Sequence, residues 1–194
     1  MTSSLPSPTL LELLRGDPRA AHLAAVLVDL DADVARYGPI THVEPVHLAS
    51  GEPLEAIAHN GAGGTYFLCG TGDGEDRPVL FADSEGSAGI IGTTLRDALL
   101  LMAALPCADR ALRLEKQGRE VDEELLLALR AEEDEELREA ADLDDLPERR
   151  AELLDRLGLP VGPLTELLPR ARAAEALDPS YVLLNEYGDA YEQG

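Results

Sequence analysis

The sequence lacks the residues on which several common kinds of protein are built. It has no tryptophan, an aromatic content of 4% and two cysteines in 194 residues. Two cysteines cannot supply the disulfide framework of a small secreted domain. We therefore expect Cys69 to be a small apolar side chain at the end of a buried strand. With so few aromatic residues, the core must consist mostly of Leu, Ala and Val.

Basic residues are also scarce. Lys and Arg number 16 against 38 Asp and Glu, so the formal net charge is −22. A surface this negative repels nucleic-acid phosphates and anionic membranes, and it speeds association with a basic protein. We expect a protein partner, and neither nucleic acid nor a membrane. An acidic surface that serves only solubility explains the same composition, so both interpretations remain open.

The chain contains no apolar run long enough to span a membrane, and Met1–Ser4 has neither a basic segment nor an apolar signal core after it. These absences predict a cytoplasmic protein. The length predicts one structural unit. Within it we expect an α+β core over residues 1–117 and a helical C-terminal extension over residues 118–194, packed on the core. The polar point at Gln117–Gly118, which includes a helix breaker, marks the division.

The stretch from Asn60 to Leu105 holds most of the strand signals. Thr65–Cys69 is rich in β-branched and aromatic residues, and Val79–Ala82 is a second apolar run. The Gly- and Asp-rich residues between them favour a loop, so the two runs predict an antiparallel hairpin. A turn over Asp83–Gly89, with Gly86 at positive φ, leads into a short third strand at Ile90–Ile91.

The segment Leu95–Leu105 is apolar almost all round, which is typical of a buried helix. Thr94 and Asp97 have the spacing of a capping box at its start, and Pro106 ends it. We expect this helix to lie across the sheet as the core helix. The predicted fold is α+β: a small, mostly antiparallel sheet covered by helices, with a helical C-terminal extension.

This order of strand, turn, strand, short strand and apolar helix resembles the SUKH (SMI1/KNR4) superfamily. The residues that carry the resemblance are Gly63–Leu68, Pro78–Phe81, Ser84–Gly86 and Leu95–Leu105, and more loosely Pro179–Asn185. Members of that family are mostly bacterial immunity proteins, which bind and neutralise toxin domains and are not enzymes. The resemblance implies a non-enzymatic protein without a cofactor that occludes a toxin domain, and the acidic composition favours a basic one.

Carboxylates in the loops of this stretch are our candidates for contact with such a partner. We expect them to form a rim that pairs with lysines and arginines, while apolar residues near the sheet supply the anchor. The candidate partner-binding residues are Asp73, Glu75, Asp76, Asp83 and Glu85. The alternative is a general protein-interaction or regulatory module on the same scaffold.

The segments before the central stretch give weaker signals. Thr9 and Glu12 fit a capping box before a helix over Leu10–Arg15. Asp17–Pro18 starts a second helix, whose apolar stripe extends it to about Arg36. We expect an edge strand within Thr41–Leu48 and one helical turn over Pro53–Ala58.

The segments after Pro106 are mostly helical in pattern. The predicted elements are a weak helix or loop over Cys107–Leu114, helices over Glu120–Ala141 and Pro147–Leu157, a helix over Leu164–Leu177 that Pro169 bends or splits, a strand at Tyr181–Leu184 and a frayed tail after Glu186. The charged part of the long acidic helix is expected to face solvent.

Catalytic and metal-binding patterns are weak. Ala82–Gly86 imitates the nucleophile elbow of serine hydrolases, which leaves a hydrolase using Ser84 as a remote alternative, because that reaction needs a histidine later in the chain and all four histidines precede Ser84. His42, His47 and His59 match no tight zinc spacing, so we expect surface or edge-strand histidines. The glycine-rich runs lack the helix and lysine of a phosphate site. We predict no metal, no cofactor and no catalytic residue.

Overall fold

The computed structural model describes residues 8–37 and 42–193, which form an α+β fold. The strands are β1 (Val46–Leu48), β2 (Leu54–His59), β3 (Thr65–Cys69), β4 (Val79–Ala82), β5 (Ser87–Gly92), β6 (Leu183–Asn185) and β7 (Glu192–Gln193). The α-helices are α1 (Leu10–Gly16), α2 (Pro18–Leu27), α3 (Leu95–Ala104), α4 (Ala108–Lys116), α5 (Glu123–Ala141), α6 (Leu146–Arg156) and α7 (Leu168–Glu175). None of the helices in these ranges has the length and apolarity that a membrane crossing requires.

The main sheet has the strand order β2-β3-β4-β5-β7, and β1 pairs with β6 in a second, two-stranded sheet. The predicted hairpin is confirmed: β3 and β4 are antiparallel, with Thr65 opposite Ala82. The predicted third strand is part of β5, which pairs antiparallel with β4, and Gly86 has the expected positive φ of 100°. Only β7 is parallel to its neighbour, β5.

The helix α3 packs on the sheet as predicted, with Leu95 and Leu99 almost wholly buried. Its predicted capping box is only half present. The Thr94 hydroxyl accepts a hydrogen bond from the Asp97 backbone N–H. The Asp97 carboxylate instead accepts from the Thr93 hydroxyl and pairs with Arg170 of α7. The carboxylate that the pattern assigned to the helix cap therefore ties α3 to α7.

Two apolar clusters lie on the sheet. The helix-side cluster is the larger and joins α1, α2 and α3 to one face through residues such as Leu14, Leu99 and Tyr66. It also contains Leu126 and Leu153 of the segment 118–194. The second, which we call the strand-side cluster, contains Phe67, Cys69, Leu80, Ile90, Leu183 and Tyr191. Cys69 is fully buried with a free thiol, and burial raises its pKa to about 12.

The second helix is shorter than its apolar stripe predicts. It ends at Leu27, and Asp29 follows in the left-handed region at φ 48°. The backbone of Asp31 then forms two hydrogen bonds with His59 at the end of β2. Leu30 is buried although it is not helical. Of the stripe, Leu23 and Leu30 are buried, whereas Val26, Leu27 and Val34 are only partly buried. A turn that reaches the sheet replaces the last part of the predicted helix.

The segment Pro53–Ala58 was predicted to form one helical turn, but that prediction is wrong. Residues Leu54–Ala58 belong to β2. Leu54 pairs with Cys69 and His59 with Thr65, with a bulge between Ala56 and Ala58. Leu, Glu and Ala favour helices in isolation. Pairing with a fully buried neighbouring strand overrides that preference.

The C-terminal tail is ordered to Gln193, so the prediction of a frayed end is wrong. Tyr191 is buried, and β7 follows it. The predicted split of the helix over Leu164–Leu177 is confirmed: a 3-10 turn over Leu164–Glu166 precedes α7. Pro169 lies in the first turn of α7, where its missing N–H has no consequence. The expected edge strand before β2 exists as β1. Thr41, part of that prediction, and Met1–Ser4 lie outside the described residues.

Candidate functional site

The five predicted partner-binding carboxylates lie at opposite ends of β4. Asp73, Glu75 and Asp76 are in the loop before that strand, and Asp83 and Glu85 are in the turn after it. The four residues of β4 span roughly 13 Å. The structure therefore places the candidates in two groups and does not bring all five together on one loop.

Two of these carboxylates hold the backbone of the protein itself. The Glu75 oxygens accept hydrogen bonds from the N–H groups of Leu10, at 2.8 Å, and Leu11, at 2.6 Å, at the start of α1. Asp83 accepts from the N–H groups of Ser87 and Glu85, both at 2.8 Å, and these bonds lower its pKa, with Ser87 as the main cause. The side chains that remain open to solvent are those of Asp73, Asp76 and Glu85.

The histidines lie in two different environments. His47 is exposed on β1, as predicted, and His59 ends β2, an edge strand of the main sheet, although it is only 5% exposed. His42 is also only 5% exposed and lies outside the strands, so the prediction of a surface or edge-strand residue is wrong for His42. The Ser84 hydroxyl, in the elbow-like sequence, donates a hydrogen bond of 3.0 Å to the carbonyl oxygen of Ala62. That contact links the turn between β2 and β3 to the turn between β4 and β5.

A chain of hydrogen bonds connects the buried histidines to the C-terminal tail. The Tyr191 hydroxyl donates to Glu44 Oε1 at 2.8 Å and lies 3.1 Å from His42 Nε2. His42 Nδ1 lies 3.0 Å from Thr65 Oγ1, which is 3.2 Å from His59 Nδ1. We call this set the polar chain. It begins near the tail, crosses the end of β3 and reaches the end of β2.

The proton positions in the polar chain follow from its donors. Tyr191 has a single hydroxyl proton, which it donates to Glu44, so its oxygen must accept from His42 Nε2–H. A neutral His42 then accepts at Nδ1 from the Thr65 hydroxyl. Thr65 in turn accepts from His59 Nδ1–H. Each link thus has one donor and one acceptor with both imidazoles neutral.

Burial supports this neutral state. It lowers the pKa of His42, and the negative charges of Glu44 and Asp83 only partly oppose the effect. Burial also lowers the pKa of His59, against the opposing charge of Asp31. The pKa of Tyr191 is raised, first by burial and then by its bond to Glu44. His42, His59, Thr65 and Tyr191 are buried and Glu44 is partly buried, so the polar chain links the C-terminal tail to the ends of β2 and β3.

An open cleft lies beside β5, between α3, α4 and α7, with a volume of about 260 Å³. We call it the β5 cleft. Its apolar surface includes Phe81, Ile91, Met102 and Ala108, which are all only partly buried. Its carboxylates are Asp83, Asp109, Glu175 and Asp178. Of the five predicted residues, Asp83 alone lines this cleft.

Asp178 occupies the inner wall of the β5 cleft. Its Oδ1 accepts a hydrogen bond of 2.5 Å from the Ile90 backbone N–H of β5. Burial raises its pKa, the bond from Ile90 opposes this, and the charges of Glu175 and Asp109 raise it further. The positive charge of Lys116, which is bound to Glu175 at 2.7 Å, lowers the pKa of Asp178 in turn. The four carboxylates of the cleft therefore carry more negative charge than Lys116 neutralises.

Sequence reasoning missed both the polar chain and the β5 cleft. His42 and Tyr191 are 149 positions apart, so no local spacing connects them. The described residues include no group of three or more His, Cys, Asp or Glu placed to hold a metal ion. Comparisons with protein-family models, with curated proteins and with solved structures found no match to this chain.

Proposed function

We propose that this protein is a cytoplasmic, SUKH-like immunity protein that binds a basic toxin domain and covers its active site. One observation carries the proposal: most of its carboxylates have no cation of their own. Every Asp, Glu, Lys and Arg lies within the described ranges, and only eleven of the 38 acidic residues form ion pairs with them.

Unpaired carboxylates favour a basic partner for two physical reasons. Their summed field attracts a positively charged protein over several ångströms and raises the rate of encounter. Once the partner is bound, lysines and arginines at the rim replace the missing counter-charges. The β-sheet core and the resemblance to the SUKH superfamily add the second element of the proposal, a rigid scaffold that blocks another protein's site instead of carrying its own chemistry.

The test is neutralisation of a toxin encoded beside this protein's gene. Each flanking open reading frame is expressed alone and together with this chain. We expect one product to arrest growth alone, to be harmless in the pair and to co-purify with this chain. If no flanking product is toxic or binds, the immunity function is wrong. If one binds without being neutralised, the general interaction module is the better description.

Salt dependence identifies the part that charge plays. The variant Asp73→Asn, Asp76→Asn, Glu85→Gln neutralises the three loop carboxylates that do not hold backbone N–H groups. Its matched control is Glu124→Gln, Glu136→Gln, Glu139→Gln on α5, which removes three exposed charges elsewhere. We expect the loop variant to associate more slowly and with a weaker dependence on salt than the control. Equal kinetics for the two variants would remove the loops as the contact surface.

A further inference from the structure

We propose that the β5 cleft is the anchor site of the complex, and that it receives a lysine or arginine side chain of the partner protein. The inference rests on the proposed function for the existence of a partner, but the position of the contact comes from the cleft alone. The stem of the inserted side chain lies on the apolar wall, and its cationic end reaches the carboxylates.

The size and lining of the cleft fit a side chain. A volume of about 260 Å³ is below the roughly 300–1,000 Å³ that is typical of sites for drug-sized ligands. Phe81, Ile91 and Met102 give an apolar surface on which the methylene groups of lysine or arginine can pack. Such a cleft accepts one or two side chains that project from a protein surface.

The charges of the cleft select a cation. Burial raises the pKa of Asp178, and the charges of Glu175 and Asp109 raise it further. Lys116 pairs with Glu175, and within the described ranges 8–37 and 42–193 Asp109 takes part in no ion pair with a lysine or arginine. An inserted ammonium or guanidinium group relieves this repulsion, and part of its cost of desolvation is offset by the charges that it meets.

The contact is made by a side chain because the adjacent sheet edge is already occupied. β7 pairs with the first residues of β5, and Asp178 takes the N–H of Ile90 further along the same edge. A strand of the partner would have to displace that carboxylate in order to continue the sheet. A side chain that enters the cleft needs no such rearrangement.

The test compares variants that change only charge. Asp109→Asn, Asp178→Asn removes two cleft charges and keeps an oxygen at position 178 to accept from Ile90. Glu136→Gln, Glu139→Gln removes two exposed charges from α5 and is the control. The ligand is the toxin domain that this protein inhibits. We expect its dissociation constant from the cleft variant to rise at least about tenfold, mainly through faster dissociation. The control should change it by less than about threefold.

A second measurement uses defined peptides and does not depend on the partner. Amide chemical shifts of the protein are followed during titration with an acetylated peptide of alternating Leu and Lys, and with the corresponding Leu and Glu peptide. We expect the lysine peptide to shift the signals of Ile91, Met102 and Asp109, and the glutamate peptide to leave them unchanged. The single variant Asp109→Asn, at an exposed position, should weaken these shifts even if the double variant is unstable.

The outcomes separate the two proposals. If a partner binds the cleft variant and the control equally, the anchor is elsewhere and the immunity function stands. If no flanking product binds but the lysine peptide shifts the cleft signals, the cleft site stands and the proposed partner is wrong. Shifts spread over the acidic surface, or equal shifts with both peptides, would overturn the cleft site.

Discussion

The two faces of the main sheet are stabilised by different kinds of contact. The face under α1, α2 and α3 carries the larger, mostly apolar cluster, in which Leu14, Leu99 and their neighbours are almost fully buried. The opposite face has a smaller apolar cluster, next to which the polar chain passes through His42, Thr65 and Tyr191. Burial of apolar area stabilises the helix-side face. The strand-side face is also stabilised by burial, but it requires in addition that the buried polar groups form hydrogen bonds.

This difference shows where the fold tolerates change. A Leu-, Ala-rich cluster accepts substitutions of similar volume, because its contacts are non-directional. A buried chain of hydrogen bonds depends on every member, since removal of one leaves its neighbours unsatisfied in a low-dielectric environment. We therefore expect the strand-side face, although smaller, to tolerate fewer substitutions than the helix-side face.

The largest expected effect is on the helix-side face. Leu99→Ala leaves a cavity beneath α3 and should lower the free energy of unfolding by about 3 kcal/mol, without dependence on pH between 5 and 8. Its control is Leu127→Ala, at an exposed leucine on α5, which should cost less than about 0.5 kcal/mol. Denaturant unfolding of both variants measures the difference. A similar cost at both positions would contradict the account of this face.

The next effect breaks the polar chain at one atom. Tyr191→Phe removes the hydroxyl that links His42 to Glu44, so both groups lose a partner. We expect a loss of about 2 kcal/mol in the free energy of unfolding. Tyr187→Phe is the control, since Tyr187 is 79% exposed. Equal stability of Tyr191→Phe and the unchanged protein would show that the bond contributes nothing.

The pH dependence of stability tests the same chain without breaking it. Burial lowers the pKa of His42 and His59 from 6.5 in the folded state, so the unfolded chain binds protons first as the pH falls. Stability is then complete above pH 6.5 and declines below it, by at most about 1.4 kcal/mol per pH unit for each proton. The neighbouring charges of Glu44, Asp83 and Asp31 reduce this decline.

The control for the pH experiment is another histidine of the same chain. His42→Asn should flatten the decline between pH 6.5 and 5.5, whereas His47→Asn, at an exposed position, should leave the slope as it was. Equilibrium unfolding at several pH values provides the measurement. An unchanged slope in His42→Asn would mean that this imidazole binds its proton equally well in the folded and unfolded states, which would contradict the neutral state assigned to it.

The smallest effect concerns the edge of the helix-side face. Glu75→Gln weakens the two bonds to the first N–H groups of α1 and removes a charge that interacts well with a helix start, at a cost of about 0.5–1 kcal/mol. Asp73→Asn, in the same loop and exposed, should cost almost nothing. Thermal unfolding compares the two. A larger loss in Asp73→Asn would reverse our assignment of which carboxylate supports the fold.

Sequence patterns predicted the elements whose neighbours in space are also neighbours in the chain. The hairpin of β3 and β4, the start of β5 and the buried helix α3 follow one another within Thr65–Ala104, so their apolar periods and glycine turns decide them. The prediction of a helical turn at Pro53–Ala58 was wrong for the opposite reason. Apart from Ile57, the residues of this segment have little strand preference of their own, and pairing with β3 determines its conformation.

The polar chain and the β5 cleft could not be predicted from the sequence for a related reason. The β5 cleft is built from β4, β5, α3, α4 and α7, and its carboxylates come from positions as distant as Asp83 and Asp178. In a chain with 38 acidic residues, no pattern distinguishes these from the others. The buried state of His42 depends on Tyr191 at the far end of the sequence, and a tyrosine near a terminus gives no sign that it will be enclosed.

The hydrogen bond from Ile90 to Asp178 affects self-association of the protein. The open rim of a β-sheet can template pairing with the rim of a second molecule, and repeated pairing leads to fibrils. Here a carboxylate occupies that donor and adds a negative charge beside it. We therefore expect the Asp178→Leu variant to form fibrils at concentrations where the unchanged protein does not.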